Sequence, residues 1–291
     1  MRLATIRFEG CEEAAVLVGR VPVPLTLVNR NLGTSWSPSV FDLIVSGELF
    51  RMTEWYRAEG AADLESLAEE CGVEDATYAP LYRTPGKIWG IGLNYVDHAA
   101  DLAEKAPQSE PASFMRPAST VIGYGDPVRI PLQSEKTTGE AELGVVFGKY
   151  ARNVSRERWL DVVAGFVCIL DMTAEDILRR NPRYLTRSKS FDTFFSFGPH
   201  LVTPDEIADV TSLRVATVKN GEVWAENTPK NMMFPPDELV AFHSRVFPWC
   251  PGDILSTGTP RAVPLEHGDL LECRITGFEP LRNPVEDLKR L

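Results

Sequence analysis

The sequence predicts an α+β fold. A large domain at 81–291 is expected to carry a mixed, rolled or sandwiched β-sheet, and a small α+β module is expected at 1–80. Three observations predict it. From about Lys87 onward, short apolar runs recur between glycine, proline and aspartate turns, namely LGVVFG, GFVCILD, LRVATVKNG, DILSTGTP and LLECRIT. Few long helical patterns separate these runs, RERWLDVV and DELVAFHSRV being the clearest. Regular strand–helix–strand alternation, the mark of a doubly wound parallel sheet, is missing. The run Gly90-Ile91-Gly92-Leu93-Asn94-Tyr95 opens like a dinucleotide-binding loop, but Tyr95 stands where the third glycine belongs.

The opening module reads element by element. MRLATIRF and AAVLVG have the composition of strands. Ser37 followed by Pro38 predicts an N-cap with proline at the first helical position. Val40, Leu43 and Ile44 continue one helical face up to Gly47. A further helix is expected from Asp63 to Cys71, stopping at Gly72. Val73 to Pro85 is dotted with prolines and reads as a linker into the larger region.

Bulk properties narrow the function. The 291 residues are 44% apolar, enough for one large core or two domains. Net charge is −11, from 30 basic and 41 acidic residues. Such a surface argues against nucleic acid, whose affinity comes mainly from Lys and Arg on phosphates. Apolar stretches fall far short of the roughly 20 residues that span a bilayer. MRLATIRFEGCEE has acids where a secretory signal has an apolar core, so a cytoplasmic location without membrane partners is expected. The five cysteines are scattered without a CxxC pair, and most are expected to be small core residues. The acidic field repels small anions, so an anionic substrate needs local positive charge, which a bound metal supplies.

The stretch from Glu140 to Lys149, GEAELGVVFGK with its leading glycine, is the most informative. Alternation puts Ala141, Leu143, Val145 and Phe147 on one face, and Glu140, Glu142 and Gly144 on the other. Two like charges about 7 Å apart along a strand repel unless a cation lies between them. Gly144 is expected to leave room for a ligand. In GFVCILDMT, Asp171 emerges at the end of a buried apolar strand and the chain turns into a helix at Thr173. A buried acid is costly unless bonded, paired or metallated. Carboxylates without His or Cys select a hard ion, Mg²⁺, Mn²⁺ or Ca²⁺. By spacing alone, a solvated strand face and a helix-capping aspartate account for the same residues.

His98 and Asp101 are an i, i+3 pair if their segment is helical. A carboxylate against imidazole fixes its tautomer and raises its basicity, as water activation requires. A surface histidine with a chance neighbour fits as well. Lys189, in RSKSFDT, is a candidate to stabilise an enolate or oxyanion. The turn that ends PGDILSTGTP, with Gly258 and Thr259, offers N–H and hydroxyl groups to a carboxylate.

Together GIGLNYVDH, FMRPAST, GEAELGVVFGK, LDMTAED, KSFDTFFSFGP and PGDILSTGTP resemble the fumarylacetoacetate hydrolase family, from about Lys87 to the C-terminus. The resemblance implies a mixed β-roll catalytic domain and a homodimer. It implies Mg²⁺ or Mn²⁺ held by Glu140, Glu142 and Asp171, with Ca²⁺ also compatible. It implies a His98–Asp101 dyad as base, with Asp101 where Glu is frequent, and Lys189 as the active-site lysine. Tyr95, Arg116, Gly258 and Thr259 match substrate-binding positions. Arg116 replaces a usual lysine, Glu175 replaces a common arginine, and Leu178 stands where Gln is frequent. The expected activity is hydrolytic C–C cleavage of an acylpyruvate-type 1,3-diketo acid. Isomerisation, decarboxylation or dehydration of a related 2-oxo acid, or a non-catalytic binding role, are the alternatives.

Overall fold

The computed structural model describes residues 1–95 and 109–291. The chain opens with a meander, β1 (Arg2–Phe8), β2 (Cys11–Val18) and β3 (Val21–Pro24). Ser39 caps the helix Val40–Val45, its side chain accepting from the Asp42 N–H. The cap therefore lies two residues beyond the expected Ser37, and Pro38 precedes the helix. The expected face is kept, since Val40, Leu43 and Ile44 are buried. Helices at Leu25–Leu32 and Glu48–Trp55 were not expected; each is only eight residues long, about two turns. The helix Ala61–Cys71 ends before Gly72, as its pattern predicted.

The short β4 (Thr77–Tyr78) leads to β5 (Ile88–Gly92), β6 (Ala112–Arg116), β7 (Val121–Ile122) and β8 (Val128–Ile130). The two long central strands are β9 (Thr137–Phe147) and β10 (Val163–Ala174), followed by β11 (Phe195–Val202). Then come β12 (Val215–Lys219), β13 (Glu222–Asn227), β14 (Ile254–Ser256), β15 (Val263–Pro264), β16 (Leu270–Ile275) and β17 (Leu281–Asp287). Arg156–Val162 forms a 3-10 helix rather than an α-helix, whereas Pro236–Val246 is α-helical.

The main sheet runs β3-β2-β1-β11-β10-β9-β14-β5-β6 among the described residues, and a second sheet runs β13-β12-β16-β17-β8. Every residue of β9 and β10 is buried. Their two faces enter different cores. Ala141, Leu143, Val145 and Phe147 pack with Val215, Leu271 and Leu281 of the second sheet. Val146, Val167 and Ile169 pack with Leu43, Met52 and Leu64 of the early helices. The site-bearing strands are thus clamped on both sides, which fixes their register. Of the cysteines, only Cys168 and Cys273 are buried; Cys11 is exposed and Cys71 and Cys250 are intermediate, so most are not core residues.

The first eighty residues join the rest through the sheet itself. β1 pairs with β11, Arg2 opposite Val202 and Ala4 opposite His200. His200 is buried at this seam, with Nε2 3.0 Å from the Tyr78 hydroxyl. Burial, then the Arg2 charge, pushes its pKa down to about 4 from an ordinary 6.5. The folded state therefore holds His200 neutral where the unfolded chain protonates it. Its contribution is complete above pH 6.5 and is lost as pH falls toward 4, on the order of 3 kcal/mol. Urea unfolding at pH 7 and pH 4 is expected to show this loss, and a His200→Gln variant is expected to show less of it.

Candidate functional site

Register places the acids together. Asp171 of β10 lies directly opposite Glu140 of β9, and Ile169 lies opposite Glu142. One oxygen from each of Glu140, Glu142 and Asp171 lies within 4.8 Å of the others. All three are buried, at 7%, 2% and 1% exposure. Asp171 does not end its strand; β10 continues to Ala174 and the helix begins at Glu175. Gly144 does not open the site. A Cβ there would sit 2.5 Å from Ile169 Cδ1 and Val167 Cγ2, so its small size serves the core beneath the acids.

Two cations balance part of this charge. Asp171 Oδ1 accepts from Lys189 Nζ at 2.8 Å and from the Arg116 guanidinium. Lys189 also donates to Glu140 Oε2 at 3.0 Å. Burial pulls Lys189 toward neutrality, but Asp171 and Glu140 outweigh it and hold its pKa above the ordinary lysine value. Lys189 is therefore an ammonium, suited to stabilising negative charge rather than accepting a proton. Glu142 Oε2 accepts from Ser256 Oγ at 2.5 Å and from Gly258 N at 2.7 Å. Burial, followed by repulsion from Asp171 and Glu140, still pushes Glu142 up to about 8. Among the described residues three acids face two cations, and the raised Glu142 pKa relieves the imbalance by keeping Glu142 largely protonated near pH 7 when no metal is bound.

A divalent cation fits these residues. Asp171 Oδ2 is buried and has no hydrogen-bond partner among the described residues, a costly state for a carboxylate oxygen. The donor set is all oxygen, which matches Mg²⁺ or Mn²⁺.

A cavity of about 390 Å³ opens on the acids, with Glu140, Glu142, Lys189 and Thr259 in its lining. Phe114 lies against Lys189, with Nζ 4.7 Å from the ring centroid. Arg116 is not among the residues lining the cavity. Its Nη1 donates to the carbonyls of Lys189 at 2.8 Å and Phe194 at 2.7 Å, so it props the site from behind. Gly258 spends its N–H on Glu142 rather than leaving it for a substrate. Its φ of +97°, with a Cβ position only 2.8 Å from Asn94 Cβ, requires glycine. Tyr95 is buried, and its hydroxyl has no hydrogen-bond partner among the described residues. His98 and Asp101 lie outside the described residues.

Two functional residues escaped the sequence reading. Ser256 holds Glu142 from within the STGTP turn, and Asn94 clamps that turn. Asn94 Nδ2 donates to the carbonyls of Phe234 at 3.0 Å and Thr257 at 2.8 Å, and Oδ1 accepts from Phe234 N at 2.9 Å. A buried amide with every group satisfied leaves no mark in spacing or hydrophobic period.

Residues 87–286 match the fumarylacetoacetate (FAA) hydrolase C-terminal family. The chain belongs to the fumarylacetoacetate hydrolase family. An uncharacterized protein of Methanocaldococcus jannaschii is 39% identical over 204 residues, 70% of this chain and 84% of that protein. The mitochondrial oxaloacetate tautomerase FAHD2A of Homo sapiens is 36% identical over 273 residues, 90% of this chain and 87% of that protein. Maleylpyruvate hydrolase from Sphingobium sp. SYK-6, solved with manganese (II) ion and pyruvate, superposes with a TM-score of 0.78 at 26% identity, covering 99% of both chains. The 5-carboxymethyl-2-hydroxymuconate delta-isomerase from Mycobacterium smegmatis superposes with a TM-score of 0.75 at 25% identity, also covering 99% of both. The family thus includes hydrolases, isomerases and tautomerases among these relatives. Among the described residues, no helix is long and apolar enough to cross a membrane.

Proposed function

We propose that this protein is a divalent-metal-dependent hydrolase that cleaves a C–C bond in an acylpyruvate-type 1,3-diketo acid. The observation that carries the reading is the buried Glu140–Glu142–Asp171 cluster, with an unpartnered Asp171 oxygen and Lys189 as an ammonium beside it. Glu140, Glu142 and Asp171 would hold the ion, and Mg²⁺ or Mn²⁺ there supplies Lewis acidity to a 2-oxo acid. Lys189 places positive charge where an enolate leaving group develops. Thr259 lines the same cavity; its hydroxyl donates to the Arg261 carbonyl at 3.2 Å and accepts from the Arg261 N–H at 3.3 Å. Phe114 lies against Lys189, its ring centroid 4.7 Å from Nζ.

Hydrolysis also needs a base for water. Among the described residues lining the cavity there is no histidine, and Lys189 is protonated. The family resemblance assigns the base to His98, with Asp101 as the acid of its dyad. His98→Ala is expected to keep metal binding and lose turnover by about 10²-fold or more. Unchanged turnover in that variant would remove His98 from the mechanism.

A second reading is keto–enol tautomerisation of a 2-oxo diacid through the same enolate. It is favoured by the 36% identity to a named oxaloacetate tautomerase across 273 residues, including much of the first eighty. Product analysis in deuterated water separates the two. Cleavage products from acylpyruvates support hydrolysis. Deuterium uptake beside the keto group without cleavage supports tautomerisation. A homodimer in the cytoplasm with Mg²⁺ bound completes the proposal, and light scattering of the purified chain tests the dimer.

A further inference from the structure

The surface as a whole and one wall of the cavity differ in sign. The chain carries a net −11, yet residues 179–189, RRNPRYLTRSK, hold five basic side chains and no acid. Arg179, Pro182, Leu185 and Lys189 of that segment line the cavity. Lys189 is committed to Asp171 and Glu140. Arg179 stands on the helix Glu175–Arg180, one turn after Glu175.

Glu175 is the residue whose charge is opposite to the arginine of the family pattern. It is 7% exposed, and each of its oxygens lies at ion-pair distance from a cation, although Oε1 makes no hydrogen bond among the described residues. Lys136 Nζ lies 2.8 Å from Oε2 and Arg179 Nη2 lies 2.5 Å from Oε1. A carboxylate paired on both sides presents little negative potential to a ligand. The ion pair restrains a long side chain and holds the Arg179 guanidinium against Glu175, beside the cavity that both residues line. Lys136 and Arg179 against Glu175 leave this corner with one net positive charge. Leu178, Pro182 and Leu185 supply apolar wall in the same segment. The lining therefore offers cationic groups at two places and apolar surface beside them, which matches a carbon chain with an anionic group at each end.

We propose that Arg179 binds a second carboxylate of the substrate, with Glu175 as its positioning residue, so that dicarboxylic 2-oxo acids are the preferred class. The assignment deepens the function proposed above and rests on it. It applies to a terminally carboxylated acylpyruvate and to a 2-oxo diacid alike.

The test compares the Mg²⁺-loaded parent with R179M and R179K, on a terminally carboxylated acylpyruvate and on its uncharged terminal methyl ester. The parent is expected to prefer the diacid. R179M is expected to raise KM for the diacid about tenfold or more, with kcat within about twofold and the ester unaffected. R179K is expected to recover part of the loss. The diacid advantage is expected to shrink as salt is raised from low to physiological strength. Arg179 is 60% exposed, so unfolding midpoints of the variants are expected to match the parent. Equal effects of R179M on diacid and ester would overturn the assignment. So would a parent without preference, and in both cases the proposed function stands. A parent that turns over neither compound with Mg²⁺ present overturns both.

Discussion

Glu142→Gln is expected to weaken Mn²⁺ binding by about 100-fold or more and to abolish metal-dependent turnover, while leaving the metal-free fold at least as stable as the parent. Changes even to groups behind a metal ligand cost about 10–100-fold in affinity, so loss of a ligand's charge costs at least as much. The stability half is less obvious. Glu142 keeps its Ser256 and Gly258 partners when an amide oxygen replaces the carboxylate oxygen. What disappears is a charge facing Asp171 and Glu140 in a buried site. Glu142 has a raised folded pKa, about 8 against an ordinary 4.5, so in the metal-free protein its ionisation costs stability as pH rises through that window. The variant lacks this cost. Its advantage over the metal-free parent is expected to grow from pH 5 to pH 8. Proton competition also predicts that parent affinity for Mn²⁺ falls as pH drops below about 8, by up to about tenfold per unit. Calorimetric titration with Mn²⁺ and urea unfolding in chelator measure both halves. A variant that still binds Mn²⁺ like the parent would remove Glu142 from the ligand set.

Asp171→Asn is expected to behave in the opposite way and to destabilise the metal-free protein by about 3–5 kcal/mol. Arg116 and Lys189 are 4% and 6% exposed, and both donate to Asp171 Oδ1. Neutralising that oxygen strands the Arg116 guanidinium, whose other hydrogen bonds among the described residues go to the carbonyls of Lys189 and Phe194. Lys189 keeps Glu140 but loses its nearer anion. Urea unfolding in chelator reads the loss directly. A cost below about 1 kcal/mol would show that the two cations are solvated by other means. The pair of variants separates two duties that one cluster performs. On the proposed reading Glu142 is chiefly a ligand, whereas Asp171 is also the counter-ion of two buried cations.

Much of this centre was legible from residue order. Alternation in GEAELGVVFG placed Glu140 and Glu142 on one face, and the β9 register keeps them there. The buried run ahead of Asp171 announced an acid that needs a partner. Neither observation said that Asp171 lies opposite Glu140, because antiparallel register is a long-range property. The reading of Gly144 failed for the same reason. Its neighbours Val167 and Ile169 belong to another strand, and a single strand's pattern does not reveal what covers it. Arg116 was assigned to substrate by motif position, whereas its bonds go to Asp171 and two carbonyls. A guanidinium fork has more donors than an ammonium and is used here as internal scaffolding. Early helices of two turns escaped because helices this short are marginal alone and rest on their neighbours, Leu25–Leu32 on β2, β3 and Ala61–Cys71, and Glu48–Trp55 on Val40–Val45.

The pairing of β1 with β11 has a consequence for biosynthesis. One edge of β1 is filled by β2 as soon as both emerge, but Arg2, Leu3 and Ala4 find their other neighbours only at Val202, Leu201 and His200. On that side β4 covers Ile6 and Arg7 once Thr77 and Tyr78 are made, but the ribosome must add nearly two hundred residues before Arg2 to Ala4 are closed. Until then the nascent chain carries an open strand edge, the kind of surface that recruits holding chaperones or mispairs with a neighbouring copy.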